Sequence, residues 1–347
     1  MNFYPGPSAV HPQVRQYLQD AYDEGILSIQ HRSERFVAIS RSIQENLRGK
    51  LEIPEDYHVF YISSSTEGWH ITNAAFGHLR GDHLYNGAFG EKWYRYREKQ
   101  YPKRTVPHPY PIQQTPDWIT LRTPELLHVT HNETSNATKV PGEVLQTLRK
   151  QFPDTLIAID VASSLGGVRL DWSCGDVWLA SAQKCLGLPA GLGLLVVSPK
   201  ALAAARPTGT YNDLHFMAEK MADYQTTYTP NVLGIYLLSR VLTDCPPITK
   251  TDRRIRQQAA DWYTFLEAQG YELLIQNPEV RSDTVIAVQD KPERIKTLKA
   301  EAQKAGFTLG NGYGKWKSTT FRIANFPAVP EEAIEALRDF LEVGERR

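Results

Sequence analysis

The sequence predicts an α/β fold: a large domain built on a mostly parallel sheet covered by helices, and a smaller α+β domain. Three observations predict it. Short, almost continuously apolar runs at 127–130, 156–161, 177–181 and 192–197 suit strands covered on both faces. Between and before them, apolar residues recur at helical spacing. Beyond Pro246-Pro247 the pattern changes to long helices around a single apolar strand. A chain of 347 residues, at a prior of roughly 150 per domain, fits two domains. They are expected to be a large domain over 13–250 and a small one formed by 1–12 with 251–347.

In chain order, Val14, Leu18 and Ala21 mark a first amphipathic helix, and Phe36, Ile39, Ile43 and Leu47 a second that ends before Gly49. The alternating, aromatic and β-branched run 57–63 reads as a strand. It breaks into Ser63-Ser64-Ser65-Thr66-Glu67-Gly68, a polar turn that opens a helix through Ala75. The four core strands follow. Ile255, Ala259, Trp262 and Leu266 then mark a long helix, 284–288 a strand, 295–302 a helix, and Ile334, Leu337 and Leu341 a closing helix.

Acidic and basic side chains balance at 39 each, so no global attraction to nucleic acid or an anionic membrane is expected. Small molecules are the expected partners. The three cysteines, Cys174, Cys185 and Cys245, have neither metal-ligand spacing nor the even count of a disulfide framework. No metal is expected, and a reducing, cytoplasmic setting fits. No run approaches the ~20 apolar residues of a membrane span, and the N-terminus lacks a signal-peptide pattern.

The chemistry centres on Ser181-Ala182-Gln183-Lys184, a lysine directly after an apolar strand and ahead of the glycine-bearing run 187–193. Desolvation at the end of a core strand disfavours an ammonium, lowers its pKa and suits it to Schiff-base chemistry. Asp160 ends another core strand, where open α/β sheets bind ligands, and could hold a pyridinium nitrogen protonated. In isolation such a lysine snorkels to solvent and such an aspartate caps a turn. Their combination is what carries meaning.

Further blocks occur in a fixed order: Phe3-Tyr4-Pro5-Gly6-Pro7-Ser8, His31-Arg32-Ser33, Asn132-Glu133-Thr134, Asp160 with Ser163-Ser164, Ala182-Gln183-Lys184, and Thr229-Pro230. The ordered set resembles the class V, fold-type I aminotransferases that use pyridoxal 5′-phosphate (PLP), and most closely the phosphoserine aminotransferases. The resemblance implies that Lys184 carries the cofactor as a Schiff base and moves the proton, while Asp160 faces the pyridine nitrogen and Thr134 the phenolic oxygen. It places Phe89 where the family usually has a stacking tryptophan. Ser65 and Thr66, at a helix start, would hold the phosphate with Gln183. Thr229 would reach the same phosphate from a partner subunit, which implies a homodimer. Tyr228 stands where an asparagine is usual.

For the substrate, the resemblance assigns Arg322 to the α-carboxylate, a task suited to its planar fork, and His31 and Arg32 to a substrate phosphate across the dimer. Phosphoserine aminotransferases bring a second His-Arg pair from the loop before that arginine. Here the loop reads Gly312-Tyr313-Gly314-Lys315-Trp316-Lys317-Ser318. The expected reaction is transamination of O-phospho-L-serine with 2-oxoglutarate, giving 3-phosphooxypyruvate and L-glutamate. The alternative is an unphosphorylated small amino acid with pyruvate or glyoxylate as acceptor. A cysteine desulfurase would need a mobile nucleophilic cysteine, and a non-enzymatic binding protein would have no use for the Lys184 and Asp160 pair. A dinucleotide enzyme would need Gly-x-Gly-x-x-Gly near Ser63, which is absent.

Overall fold

The computed structural model describes residues 1–116, 121 and 123–344. The elements, in order, are β1 (Asn2–Phe3), α1 (Val14–Asp23), α2 (Glu34–Leu51), β2 (His58–Ile62), α3 (Ser65–Ala75), β3 (Gly81–Tyr85), α4 (Ala88–Gln100) and β4 (Thr105–Pro109). Then come β5 (Leu126–Thr130), β6 (Asn132–Glu133), β7 (Thr138–Lys139), α5 (Gly142–Gln151), β8 (Leu156–Asp160), β9 (Val177–Ser181), β10 (Gly193–Val197), α6 (Pro199–Ala204), α7 (Leu214–Ala222) and α8 (Val232–Asp244). The chain closes with α9 (Ile248–Ala268), β11 (Glu272–Leu273), β12 (Val285–Gln289), α10 (Pro292–Lys304), β13 (Thr308–Asn311), β14 (Thr320–Ala324) and α11 (Glu331–Gly344).

A seven-stranded sheet in the order β2-β10-β9-β8-β5-β3-β4 forms the larger layer. All its pairings are parallel except those of β10, which runs antiparallel to β2 and to β9. The continuous apolar run that predicts a covered strand says nothing about its direction. Every residue of β5, β8, β9 and β10 is buried, as two-faced coverage requires. One face carries Ile157 and Ile159 of β8 against Phe36, Ile43 and Leu47 of α2 and Ile235 and Leu238 of α8. The other carries Leu156 and Ala158 against Trp69 of α3 and Trp93 of α4. Strand alternation therefore sends Asp160, two residues beyond Ala158, toward α3.

The smaller sheet, β1-β13-β14-β12-β11, joins the first residues of the chain to its last third; β1 pairs parallel to β13 and the rest are antiparallel. Helix α2 runs through Gly49 to Leu51, three residues past the expected end, and stops where Glu52 takes φ of 60°. Strands β3 and β4 escape a reading of the sequence. The first opens with Gly-Asp-His, and the second contains two prolines, which an edge strand tolerates because one side of its backbone needs no partner.

Behind β3 and β5 lies a pair of stacked imidazoles. His83 and His128 are register partners with ring centroids 3.7 Å apart and planes within 5°. Both are pushed well below the ordinary imidazole range, first by burial and then by neighbouring positive groups, Arg97 among them. His131 is pushed down to about 3 by burial, helped by Lys139 and Arg256. These bases stay neutral when folded but take protons once unfolded. Below pH about 6.5 the unfolded chain therefore binds more protons, so stability rises with pH in that window and is lost as pH falls through it. At pH 5 His131 alone withdraws about 2 kcal/mol of a stability usually near 5–15 kcal/mol, and His83 and His128 act in the same direction. The urea midpoint should drop steeply between pH 7 and 5. His83→Phe with His128→Phe should make that drop shallower; a midpoint flat over the interval would contradict the account.

Candidate active site

Lys184 follows β9 by three residues, in a turn closed by Gly187, whose φ of 58° lets its N–H reach the Lys184 carbonyl at 2.9 Å. The lysine ammonium donates to Ser163 Oγ at 2.9 Å and to Thr134 Oγ1 at 3.1 Å, and these two hydroxyls also bond each other. The Phe89 ring lies 5.3 Å from Nζ. Burial lowers the lysine pKa, opposed by the negative charges of Asp160 and Glu133. No carboxylate touches the ammonium among the described residues, so the amine is held by neutral acceptors that do not lock its proton in place.

Asp160 is buried at the C-terminal end of β8. Its Oδ1 accepts from Ala162 N and its Oδ2 from Trp69 Nε1, each at 2.8 Å. Burial raises its pKa against the pull of those donors and of Lys184. The sequence alone assigns no role to Trp69. A tryptophan on the core face of a helix needs a partner for its indole N–H, and that requirement is the signal that could have singled it out.

At the start of α3, Ser64 rather than Ser65 is the N-cap: its Oγ accepts from Glu67 N at 3.2 Å, and the Glu67 carboxylate accepts from Ser63 N at 2.5 Å. Ser65 donates its N–H to Ser181 Oγ at 2.9 Å, and the two hydroxyls are hydrogen-bonded to each other at 2.9 Å, tying α3 to the end of β9. Thr66 keeps its backbone N–H and hydroxyl unengaged among the described residues and is exposed. Gln183 holds a buried Oε1 without a partner. Tyr228 donates its hydroxyl to the Tyr61 carbonyl of its own chain at 3.2 Å, and Thr229 is exposed.

Phe89 is positioned by Glu133, the second residue of β6. One Glu133 oxygen accepts from the Phe89 and Gly90 N–H groups at 3.2 and 3.0 Å, at the positive end of α4, and the other takes the Ser135 N–H and hydroxyl at 3.0 and 2.6 Å. A Cβ on Gly87 would lie 2.3 Å from Glu133 Cγ, so only glycine admits this carboxylate. Arg322, buried on β14, donates from Nη1 to the Thr134 carbonyl at 2.5 Å and from Nε to the Asn311 carbonyl at 2.6 Å. Its Nη2 has no protein partner among the described residues. Tyr313 bridges the two halves, its ring 5.1 Å from that of Phe89 and 5.9 Å from the Arg322 guanidinium.

Thus Lys184, Asp160, Thr134, Phe89 and Arg322 form one connected cluster, which Ser65 and Gln183 adjoin. His31 and Arg32 stand apart from it in the single chain: they precede the Ser33 cap of α2, and His31 packs its ring edge-on to Phe36. Cys174, Cys185 and Cys245 are free thiols whose pKa values burial pushes up, that of Cys174 to about 12. None is poised as a thiolate nucleophile.

The N-terminal segment lies along the lysine loop, with Ser8 N donating to the Gln183 carbonyl at 3.0 Å and His11 N to the Gly187 carbonyl at 2.9 Å. Gly6 has φ of 154°, and a Cβ there would sit 3.2 Å from Lys184 Cε. Gly6→Ala should therefore strain the segment and displace the amine by a few tenths of an ångström, lowering kcat about 10-fold with KM little changed. Steady-state kinetics and the unfolding midpoint check this; a kcat equal to that of the parent would remove the positioning role from Gly6.

The donor set fits PLP. The buried Asp160 carboxylate suits a cationic ring nitrogen, the Phe89 face a heteroaromatic ring, the Lys184 amine an aldehyde, and the unengaged N–H and hydroxyl of Thr66 a phosphate. Comparison with known proteins agrees. Residues 102–302 match the Aminotransferase class-V family. A phosphoserine aminotransferase of Lysinibacillus sphaericus is 28% identical over 98% of this chain and 96% of its own, and one of Rhodococcus opacus 26% identical over 96% and 91%. The solved phosphoserine aminotransferase of Cytophaga hutchinsonii superposes with a TM-score of 0.92 at 31% identity, covering 99% of this chain and 98% of that one. An alanine–glyoxylate aminotransferase from Nostoc, at 21% identity and a TM-score of 0.84, shares the fold. A half-buried lysine and a buried aspartate at the ends of neighbouring core strands, on a chain matched over most of its length, leave one assignment: this protein belongs to the class-V aminotransferases, PLP-dependent transaminases of fold type I.

Proposed function

We propose that the chain transaminates O-phospho-L-serine with 2-oxoglutarate, yielding 3-phosphooxypyruvate and L-glutamate, as a cytoplasmic homodimer with shared sites. The observation that carries this reading is the likeness to the phosphoserine aminotransferase of Cytophaga hutchinsonii over nearly the whole chain. The exposure of Thr229 and of Arg32 supports the dimer, because neither side chain is engaged within its own chain among the described residues.

PLP, when bound, supplies an electron sink for the carbanion formed at Cα. The chain's own residues do the rest. Arg322 offers Nη2 to the substrate carboxylate, its other nitrogens being fixed by the Thr134 and Asn311 carbonyls, so the arginine is pre-organised. Lys184, its pKa lowered by burial, takes the Cα proton and later gives it back, with Thr134 and Ser163 holding the amine in line. Phe89 offers its ring face beside the amine, with Tyr313 packed on it.

The second reading, an unphosphorylated amino acid with pyruvate or glyoxylate as acceptor, is favoured by the 312–318 loop. There Tyr313 packs on Phe89, and the Lys315 ammonium lies 4.6 Å over the Trp316 ring. O-phosphoserine, alanine and serine, each assayed with 2-oxoglutarate, pyruvate and glyoxylate, separate the two. O-phosphoserine should exceed alanine in kcat/KM by at least ~10²-fold; parity or the reverse would transfer the assignment to the second reading.

A further inference from the structure

A cavity of about 220 Å³ lies on the opposite side of the lysine loop, where α8 hands over to α9 through Pro246-Pro247. Its wall includes Leu186, Val241 and Leu242, all buried, and Cys185, the residue after Lys184. Polar groups also line it. Arg254 donates Nη2 to the Pro327 carbonyl at 3.1 Å and forms no ion pair among the described residues, so its remaining nitrogens are available. Asp244, at the solvent-exposed rim, accepts from the Tyr17 hydroxyl on one carboxylate oxygen and has no cationic partner within salt-bridge distance among the described residues. His11, neutral beside Arg254, completes the lining.

An unpaired cation, an unpaired anion and an apolar wall on one small cavity match the three parts of one kind of molecule. We propose that this cavity binds a free amino acid with a small apolar side chain, its carboxylate on Arg254 with His11, its ammonium on Asp244, and its side chain against Leu186, Val241 and Leu242. A volume of about 220 Å³ suits a molecule the size of leucine. The cavity shares no lining residue with the catalytic cluster. His11 N holds the Gly187 carbonyl, and the Cys185 thiol donates to the Ser163 carbonyl at 3.2 Å, so an occupant touches both anchors of the turn that presents Lys184. Occupancy stiffens that turn and the α8–α9 junction together. None of this depends on which amino acid is transaminated.

Calorimetric titration of the holoenzyme with L-leucine tests it, beside the same titration of Lys184→Ala and Arg254→Gln variants. Leucine should bind at about millimolar strength or tighter and bind equally to Lys184→Ala. Arg254→Gln, at an exposed position and with its fold verified by circular dichroism, should weaken binding at least ~10-fold. The half-ligands 4-methylpentanoate and 3-methylbutylamine should each bind at least ~10-fold more weakly than leucine. Asp244→Asn should erase the preference for leucine over 4-methylpentanoate. No heat with leucine up to on the order of 10 mM would overturn the proposal. So would binding that survives Arg254→Gln but vanishes in Lys184→Ala, or 4-methylpentanoate matching leucine on the parent enzyme.

Discussion

Lys184→Ala should lower transaminase turnover by at least ~10³-fold, because it removes both the covalent anchor and the base at the substrate Cα. The structure gives the reason in terms of proton affinity. Burial lowers the pKa of this amine, and its two hydrogen-bond partners are the neutral hydroxyls of Thr134 and Ser163. It therefore sheds its proton more readily than a free lysine amine does, and more readily than an ammonium paired to a carboxylate could. Lys184→Arg separates charge from proton transfer: a guanidinium keeps the charge but does not deprotonate, so this variant should be as inactive as the alanine one. Removing a buried ammonium that relies on hydroxyls alone should not destabilise the fold, and the melting temperature should hold or rise. Single-turnover rates with the best amino donor provide the measurement. Activity within tenfold of the parent in either variant would mean that another group moves the proton.

The parts of the site legible in the sequence are those that a strand end positions by itself. Asp160 and Lys184 each follow an apolar run directly, and the strand period that buries Leu156 and Ala158 carries Asp160 to the same face. Arg322, Thr134 and Phe89 emerge through resemblance rather than periodicity, and the structure brings all three to the lysine. What stays hidden depends on contacts between distant segments. Glu133 fixes Phe89 only because Gly87 leaves room for it across more than forty residues, and Trp69 meets Asp160 only once α3 lies across β8. Ser65 reads as a phosphate donor in the sequence, and in the fold its N–H is bound to Ser181 Oγ and its hydroxyl paired with the same oxygen, while the adjacent Thr66 is unengaged among the described residues. In the fold, β3 and β4 are missed because polar and proline-bearing strands carry no apolar signature, and the direction of β10 because direction is set by connection length rather than composition.

Asp160→Asn should cut kcat by ~10²–10³-fold while changing KM for the amino acid little, since it removes a buried charge that no other residue replaces. The asparagine carbonyl can accept from either Trp69 Nε1 or Ala162 N but not from both as the carboxylate does, so one buried donor loses its partner. The larger loss is electrostatic: a neutral amide no longer favours a proton on a ring nitrogen facing it, and the electron demand of the cofactor falls. The same change should have the opposite sign for the cofactor-free fold. The Asp160 pKa is raised by burial, so the folded state binds its proton more readily than the unfolded chain does. Above its folded pKa, keeping the carboxylate ionised costs stability, and that cost is fully present at neutral pH. The substituted amide does not ionise, so the cofactor-free variant should unfold at a higher urea concentration than the parent at pH 7, and the difference should shrink as pH falls toward about 4. A kcat within threefold of the parent, or a urea midpoint lowered at pH 7, would show that the acid is held for packing rather than for its charge. Loss of turnover together with gain of stability is the outcome expected of a charge kept buried for chemistry.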